Sequence, residues 1–366
     1  MPLTVTLHAA DLELVDNVRA ADREHRHRTS LFLEIQHRDH TGWGECATAM
    51  QRGPDATVDD VVAALNGRVL EAALGPTDVS ARSGAPALVT ASKVSSRPAD
   101  LAAAGLVDAA LLDLRLRQER RSLADELGVQ AASVGFAGVI GLDDAGAARD
   151  RAVELVERGA TRLRVKVSPD SGAASVVAVL ADTHVPVVAD CNGAFRQGTD
   201  DAALDELGAL PLAWLEQPYA VGNLAGHAEL AARVAVPLGL DESIRSVRAV
   251  RDVARYGAAS VICCKPARVG GIAKSLEVRR EAARLGLRSY VGGYFEAGLG
   301  RAVLGVLAAE RDDGLDGDVA APATYLEVDP CALDTPVRGR QPLYRGDGCG
   351  PPPARDALRT LAQRTF

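Results

Sequence analysis

Four ionisable residues recur at nearly even intervals through the middle of this chain. Asp190, Glu216, Asp241 and Lys265 are separated by 26, 25 and 24 residues, and each ends a short apolar run. A step of about 25 residues is the length of one strand-plus-helix unit, so the spacing predicts consecutive strands of one parallel barrel. Barrel strands present their carboxyl ends to a shared mouth, where these side chains would converge. Three carboxylates and an amine in one mouth indicate a divalent-metal site beside a general base.

The three carboxylates offer the hard oxygen ligands that Mg²⁺ or Mn²⁺ prefers, and water and substrate would complete the coordination. No histidine ends these strands, which argues against zinc. A single aspartate at the end of a strand is more often a cap or turn residue than a ligand. Three acids on successive strands at constant spacing favour the metal site, with Asp190, Glu216 and Asp241 as its ligands.

Two lysines complete the candidate chemistry. The strand TRLRVKV alternates, so Arg164 and Lys166 share one face, and Lys265 would enter the mouth from the opposite side. Lys166 alone could be an exposed strand lysine, but a second lysine embedded in VICCKPA favours a catalytic pair. Two amines facing each other across a bound substrate can act as base and acid on opposite faces of one carbon. To act as a base near neutral pH a lysine must have its pKa lowered by roughly 3 units, and burial, the metal and Arg164 would act in that direction.

The composition limits the class of protein. The 366 residues suffice for a large core and, as a prior, for two domains, with 47% hydrophobic and 25% charged residues. A formal net charge of -8 and the lack of a Lys/Arg stripe argue against a nucleic-acid partner. No apolar run reaches the roughly 18 residues needed to cross a bilayer, so no membrane partner is expected. The six cysteines form no CxxC pair and indicate small buried side chains in a reduced cytoplasm.

From about residue 131 the sequence alternates strands with helices, which predicts an α/β fold with a TIM-type (β/α)7β barrel over 131–324. The predicted strands are 132–140, 161–167, 185–191, 212–217, 236–242, 260–266, 287–293 and 315–321. A doubly wound open sheet is the weaker alternative, because no Gly-rich phosphate loop opens the first strand–helix unit.

Residues 1–130 and 325–366 are predicted to form an α+β capping domain. A three-strand meander covers about the first 60 residues, and helical periodicity follows over 57–128. Between the first two strands lies a charged loop, Asn17 to Arg28. Such a loop is either solvated or a lid over an anionic substrate.

Seven short motifs extend over nearly the whole chain. They are GWGEC (42–46), RVK (164–166), DCNGAF (190–195), LEQPY (215–219), LDESI (240–244), KPARVGG (265–271) and GGYFEAGLGR (292–301). Together they resemble the enolase superfamily, muconate-lactonising-enzyme subgroup, and within it the o-succinylbenzoate synthases and N-succinylamino acid racemases. This superfamily is the type example of a lysine or histidine base beside Mg²⁺ that stabilises an enediolate.

The resemblance implies a role for each group of motif residues. Asp190, Glu216 and Asp241 would bind Mg²⁺, and Lys166 and Lys265 would be the catalytic lysines. The residues expected to touch the substrate or support the site are Arg164, Asn192, Gly292, Gly293 and Tyr294. The substrate would be a small carboxylate. Members often form dimers or octamers, so the resemblance also leads us to expect a homo-oligomer.

The chain departs from the subgroup's pattern in three places. The usual KxK reads RxK, with Arg164 first, which changes the electrostatic neighbour of the presumed base. The GGM-type stretch reads GGYFE, so Tyr294 and Phe295 stand where smaller or more flexible side chains are common. The cap is expected to close over the mouth through loops near 17–28 and 49–56, and the second loop, within ATAMQRGPDA, resembles those of the two candidate groups only at its start.

Two overall reactions fit these residues. In o-succinylbenzoate synthesis, the preferred reading, Lys166 removes the α-proton of a cyclohexadiene hydroxyacid of the menaquinone pathway, and Lys265 stabilises the enediolate as a cation. In racemisation of an N-acylated amino acid, or epimerisation of a dipeptide, both lysines exchange a proton. Asp316 and Asp318 resemble an acidic element of dipeptide epimerases that would hold a substrate ammonium. Muconate cycloisomerisation, sugar-acid dehydration and an inactive binding protein rank lower.

Overall fold

A parallel barrel sheet forms the centre of the molecule in the computed structural model, which describes residues 2–20, 23–48, 55–74, 96–141, 144–311, 314–336 and 339–366. Its strands are β5 (Ala137–Ile140), β6 (Arg162–Lys166), β7 (Val187–Asp190), β8 (Trp214–Glu216), β9 (Leu238–Leu240), β10 (Val261–Cys264) and β11 (Arg288–Val291). They pair side by side in chain order, all parallel. Most are short, fully buried apolar runs, as expected for parallel strands covered on both faces. The seven strands fall within the first seven predicted segments.

The barrel closes through a segment that is not a regular strand. Ala137 N donates to Gly317 O at 2.9 Å, and Asp318 N donates to Val291 O at 2.9 Å, which joins the two edge strands. A Cβ at Gly317 would lie 2.6 Å from Val291 O, so a side chain has no room there. The predicted eighth strand, 315–321, is therefore a short segment whose backbone hydrogen-bonds to β5 on one side and to β11 on the other.

Helices cover the outside of the sheet. They are α5 (Ala145–Glu157), α6 (Ala173–Leu180), α7 (Asp201–Gly208), α8 (Leu224–Arg233), α9 (Val247–Tyr256), α10 (Pro266–Val269), α11 (Ile272–Arg284) and α12 (Gly298–Glu310). Gly286, the predicted cap after α11, has a φ of +76° and suits the left-handed conformation that commonly ends a helix. The largest apolar core lies between these helices and the strands.

The cap is built on an antiparallel sheet in the order β13-β1-β2-β3. Its strands are β1 (Thr4–Ala20), β2 (Arg23–His37), β3 (His40–Ala47) and β13 (Arg359–Thr365), so the carboxyl-terminal tail pairs with the first strand. Its helices are α1 (Val58–Ala64), α2 (Leu70–Leu74), α3 (Pro98–Glu119) and α4 (Leu123–Glu126), with a π-helical turn at Leu65–Val69. Helix α3 packs tightly on β3, because a Cβ at Gly44 would lie 2.4 Å from Leu106 O.

Two further sequence expectations need correction. The charged segment 17–28 is largely strand rather than loop, since β1 runs to Ala20, β2 starts at Arg23, and Val18 pairs with His25. The predicted strand 132–140 is two pieces, because β4 (Ser133–Val134) pairs with β12 (Gln341–Pro342) before β5 begins.

The structure is that of an α/β protein with a TIM-type (β/α)7β barrel and an α+β capping domain. The exact domain boundaries stay a prediction, and residues 49–54 of the expected lid lie outside the described residues. Within the described ranges, no helix combines the length and apolar character needed to cross a membrane. All six cysteines are buried and unpaired, as predicted.

Candidate active site

Strand register brings the candidate residues to one end of the barrel. Lys166 pairs with Asp190 between β6 and β7, and Asp190 pairs with Glu216 between β7 and β8. Asp241 and Lys265 directly follow β9 and β10. Parallel strands share their carboxyl end, so a row of five ionisable side chains crosses the mouth.

The three carboxylates surround one arginine nitrogen. Arg164 Nη2 lies 2.7 Å from Asp190 Oδ2, 2.9 Å from Glu216 Oε1 and 3.6 Å from Asp241 Oδ2. All three carboxylates are completely buried. The nearby Arg164 Nη1 donates to Asp318 Oδ2 at 3.0 Å. The residue that departs from the family pattern thus provides a positive charge at the centre of the acids.

Glu216 has a set of donors of its own. Tyr290 Oη donates to Glu216 Oε2 at 2.7 Å and Trp214 Nε1 donates to the same oxygen at 2.9 Å. Burial raises the pKa of Glu216 to about 7, with Asp190 and Asp241 adding to the rise and Arg164 opposing it. A nearby divalent cation would favour the ionised form of this carboxylate.

The outer two carboxylates each face a lysine. Burial would raise the pKa of Asp190, but Arg164 and Lys166 outweigh it and hold the pKa below its usual range. Burial has the same effect on Asp241, and Arg268 and Lys265 again lower its pKa. Both aspartates are therefore anionic at neutral pH.

The two lysines stand at opposite ends of the row. Lys166 Nζ donates to Asn192 Oδ1 at 2.5 Å and lies 3.4 Å from Asp190 Oδ2, with 19% of its side chain exposed. Lys265 Nζ donates to Asp241 Oδ2 at 2.8 Å and is 7% exposed. Burial would lower the pKa of Lys265, but Asp241 outweighs it and raises the pKa above the usual value. The row therefore has a more accessible amine at one end and an enclosed one at the other.

The predicted glycines and tyrosine line the Lys265 side. A Cβ at Gly292 would lie 3.0 Å from Lys265 Cε, so this glycine leaves space for the lysine stem. A Cβ at Gly293 would lie 2.5 Å from Glu296 Oε2. The ring centroid of Tyr294 is 4.6 Å from Lys265 Nζ, within the range of a cation–π contact. Tyr294 therefore covers the enclosed lysine.

Several side chains that contact the candidate residues were not singled out from the sequence, among them Trp214, Tyr290, Arg268 and Asp55. Trp214 could have been found, because it lies two residues before Glu216 and so shares its strand face. Arg268 Nη1 donates to Asp241 O at 2.9 Å and contacts Asp241 Oδ1. It lies within KPARVGG, but no periodicity marks it as part of the site.

The donor set fits a hard divalent cation by its chemistry. Asp190, Glu216 and Asp241 each direct an oxygen to within 3.6 Å of one point, now held by Arg164 Nη2, and three carboxylates suit Mg²⁺ or Mn²⁺. In the described part of the chain, no three His, Cys, Asp or Glu side chains are already arranged to hold an ion. Arg164 Nη2 would have to move from the centre when a cation binds.

A cavity lies beside the enclosed lysine, between cap and barrel. It holds about 600 Å³ of empty space, open solvent at its mouth included. Its lining includes Trp43, Ala47 and Leu106 from the cap and Lys265, Tyr294 and Glu296 from the barrel. This mostly apolar space is next to the site and could hold the non-reacting part of a substrate.

Comparison with known proteins agrees with this arrangement. The family described as "Enolase C-terminal domain-like" matches residues 147–333. The N-succinylamino acid racemase of Amycolatopsis sp is 31% identical over 360 residues, or 97% of this chain and 95% of that protein. The o-succinylbenzoate synthase of Listeria innocua is 30% identical over 250 residues, or 67% of this chain and 66% of that one.

A solved structure gives the same result for the whole chain. The probable mandelate racemase of Alicyclobacillus acidocaldarius superposes with a TM-score of 0.86 at 25% identity, covering 98% of this chain and 95% of that one. The barrel, its cap and the sequence relatives agree with the family suggested by the seven motifs. The chain belongs to the enolase superfamily.

Proposed function

We propose that the protein removes the proton α to a substrate carboxylate, stabilises the resulting enediolate, and so catalyses o-succinylbenzoate synthesis. The observation that carries the α-proton step is the row of side chains itself, and o-succinylbenzoate synthesis is proposed as the overall reaction because several relatives are named for it. Lys166 and Lys265 flank three buried carboxylates from opposite ends, one bonded to Asp190 and the other to Asp241. An acid or a base is thereby available on either side of a carbon held at the centre.

Asp190, Glu216 and Asp241 would hold the divalent cation, with Mg²⁺ or Mn²⁺ as the proposed cofactor. When bound, the cation supplies positive charge that stabilises the enediolate, the role for which enolase-superfamily sites are the type example. With Nη2 moved from the centre, Arg164 would keep the hydrogen bonds that its Nη1 donates to Asp318 Oδ2 and its Nε donates to Glu216 Oε1, each now 3.0 Å long.

Lys166 is the proposed base because it is the more accessible amine and its carboxylate contact, with Asp190 Oδ2, is 3.4 Å long, against 2.8 Å for Lys265 and Asp241 Oδ2. It takes the α-proton, and the electron pair of the C–H bond enters the enediolate. As the pair returns, the C–O bond to the β-hydroxyl breaks, and the Lys166 ammonium protonates the departing hydroxide to give water. One amine thus serves as base and then acid on one face, while Lys265 stays a cation.

Racemisation of an N-succinylamino acid is the second candidate. It is favoured by the Amycolatopsis relative, which is named for that reaction and aligns with 97% of this chain. In that reaction Lys265 would deliver a proton to the opposite face. Dipeptide epimerisation has less support, because Asp318 is bonded to Arg164 and Asp316 accepts from Thr161 Oγ1 at 2.6 Å. Both acids are already engaged within the barrel.

The test is proton NMR in D₂O with Mg²⁺ and a panel of N-succinylamino acids, N-acetylamino acids and dipeptides. An ultraviolet assay with the cyclohexadiene substrate runs in parallel. Aromatisation without exchange on the panel is expected. Exchange at the α-carbon with loss of optical purity would instead establish the racemase. Activity in neither assay would overturn the proposed substrate class.

We also propose a cytoplasmic location and a homo-oligomer. Cell fractionation tests the location, and light scattering tests the oligomeric state.

A further inference from the structure

One cap carboxylate, that of Asp55, contacts three barrel side chains. Asp55 Oδ2 accepts from Arg268 Nη2 at 2.8 Å and from Tyr294 Oη at 2.5 Å. Its other oxygen, Oδ1, accepts from Arg245 Nη2 at 2.8 Å and from Arg268 Nε at 3.1 Å. Asp55 lies two residues before Thr57, the residue that caps helix α1. A single side chain therefore joins the start of a cap helix to the barrel.

The three partners come from three consecutive strand-to-helix connections. Arg245 follows β9, Arg268 lies in α10 after β10, and Tyr294 follows β11. These connections form one side of the barrel mouth, the side that holds Lys265. Burial would raise the pKa of Asp55, but Arg268, Tyr294 and Arg245 outweigh it and lower the pKa to about 2. The carboxylate is therefore charged at every pH at which the enzyme would be assayed.

Asp55 is one contact away from two of the five ionisable side chains that cross the mouth, Lys265 and Asp241. Tyr294, held by its hydroxyl, places its ring 4.6 Å from Lys265 Nζ. Arg268, held by its guanidinium, contacts the carboxylate and the backbone oxygen of Asp241. Lys265 in turn donates to Asp241 at 2.8 Å. Asp55 is thus connected to Lys265 in two ways, through the ring of Tyr294 and through Arg268 and Asp241.

Two of the three departures from the family pattern meet in this contact. Tyr294 belongs to GGYFE, and Asp55 belongs to ATAMQRGPDA, the cap segment that resembles those of the candidate groups only at its start. Their side chains are 239 residues apart in the chain and joined by one hydrogen bond. A tyrosine in place of a smaller residue is therefore matched by an acid that fixes its hydroxyl.

We propose that Asp55 is a positioning residue that latches the cap onto the barrel and holds Tyr294 over Lys265. The effect of Asp55 on catalysis rests on the proposed function. The contact between cap and barrel, in contrast, can be tested without a substrate. With the latch closed, Lys265 is enclosed and its ammonium stays directed at Asp241. Without it, Tyr294 loses its acceptor, Arg268 loses its cap partner, and the enclosed side of the mouth opens.

The accessibility of Lys265 to a reagent in solution shows directly whether Tyr294 covers this lysine. The chain contains four lysines, Lys93, Lys166, Lys265 and Lys274, so labelling by acetic anhydride can be followed at each one by peptide mass spectrometry. Lys274, on the outer surface of α11, serves as the internal reference. Asp55→Ala is compared with Asp59→Ala, which removes an exposed acid from the same helix start. Tyr294→Phe removes the hydroxyl but leaves the pairs of Asp55 with its arginines.

The latch predicts that Asp55→Ala raises the labelling rate of Lys265 relative to Lys274 by about 10-fold or more, while Asp59→Ala leaves it unchanged. Tyr294→Phe should raise it in the wild-type background and add little in the Asp55→Ala background, because the two changes remove one shared contact. Equal Lys265 labelling in Asp55→Ala and Asp59→Ala would overturn the proposal. If circular dichroism shows that Asp55→Ala does not fold, the test rests on Tyr294→Phe. Labelling of Lys265 in Tyr294→Phe equal to that in the wild type would then overturn the proposal.

Kinetics separate the latch from the proposed reaction. On whichever substrate the wild type turns over, Asp55→Ala should raise KM by about 10-fold or more with a smaller change in kcat, since a loose cap closes less often on substrate. An unchanged KM would limit Asp55 to a structural role and overturn the positioning proposal. If the wild type converts no substrate in the panel, the proposed function fails, whereas the labelling comparison still decides whether Asp55 holds Tyr294 over Lys265.

Discussion

Tyr290 donates its hydroxyl hydrogen to Oε2 of Glu216 inside the barrel, at a distance of 2.7 Å. Both side chains are buried, and they come from strands that are not neighbours in the sheet. The hydrogen bond therefore connects β8 with β11 through the barrel interior. It also fixes one oxygen of a proposed metal ligand, so the same contact serves the stability of the barrel and the geometry of the site.

Tyr290→Phe should lower the free energy of unfolding by about 1–3 kcal/mol, because a buried carboxylate oxygen loses one of its two side-chain donors. Urea unfolding followed by circular dichroism measures the change. Tyr256→Phe, at an exposed tyrosine on α9, is the matched control and should change little. Equal stability of the two variants would contradict the importance of this bond.

Glu216→Gln should weaken Mg²⁺ binding by about 10-fold or more, because it removes a negative charge from the proposed ligand set. Isothermal titration calorimetry with Mg²⁺, repeated with Mn²⁺, measures the affinity without requiring a substrate. Glu206→Gln makes the same substitution at an exposed position of α7. If Glu216→Gln and the wild type gave the same titration, Glu216 would have to be removed from the ligand set.

Lys166→Ala should reduce turnover by roughly 10²–10⁴-fold, the usual contribution of a general base, while leaving the fold intact. Steady-state rates on the substrate found in the NMR and ultraviolet assays measure this loss, and circular dichroism checks the fold. Lys274→Ala is the control, since this lysine pairs with Glu277 at 2.7 Å on the surface of α11. Near wild-type activity of Lys166→Ala would refute its assignment as base.

His227 should make the protein less stable as the pH falls from about 6.5 to 4. Its ring accepts a hydrogen bond from Tyr219 N at Nε2 and contacts Asn223 O through Nδ1, which fits a neutral ring with its proton on Nδ1. Burial lowers the pKa of His227 from 6.5 to about 4, with the Asn223 hydrogen bond opposing the change. In that pH window the unfolded chain binds a proton that the folded ring excludes, so stability decreases with acidification.

The loss attributable to His227 between pH 7.5 and pH 4.5 is about 2–3 kcal/mol, from the size of the pKa shift. Urea unfolding of the wild type and of His227→Gln at both pH values isolates it, because other titrating groups are common to the two proteins. A wild-type loss equal to that of the variant would show that the ring is not held neutral.

The barrel could be predicted from the sequence because parallel strands that are buried on both faces appear as short, continuous apolar runs. Short apolar runs ending in Asp190, Glu216 and Asp241 recur with the length of one strand–helix unit, and alternation in TRLRVKV puts Arg164 and Lys166 on one face. Both side chains do contact Asp190 Oδ2. Convergence of the row then follows from barrel geometry alone.

Features that depend on distant contacts could not be predicted in this way. The charged segment 17–28 gives no apolar alternation, so its pairing into a hairpin is not visible in the sequence. Asp55 is 190 residues from Arg245 and 213 from Arg268, and no local pattern relates an acid to cations at such distances. A strand was predicted at 315–321, but the irregular form of this segment at Gly317 depends on the two strands that it joins.

The joint at Gly317 has a further consequence for the site. It carries Asp318, the acid that bonds to Arg164 outside the carboxylate row. A chain whose barrel ring is still open therefore lacks the counter-charge that completes the environment of Arg164. The balance of charge around Arg164 thus depends on closure of the ring as well as on the three carboxylates of the candidate site.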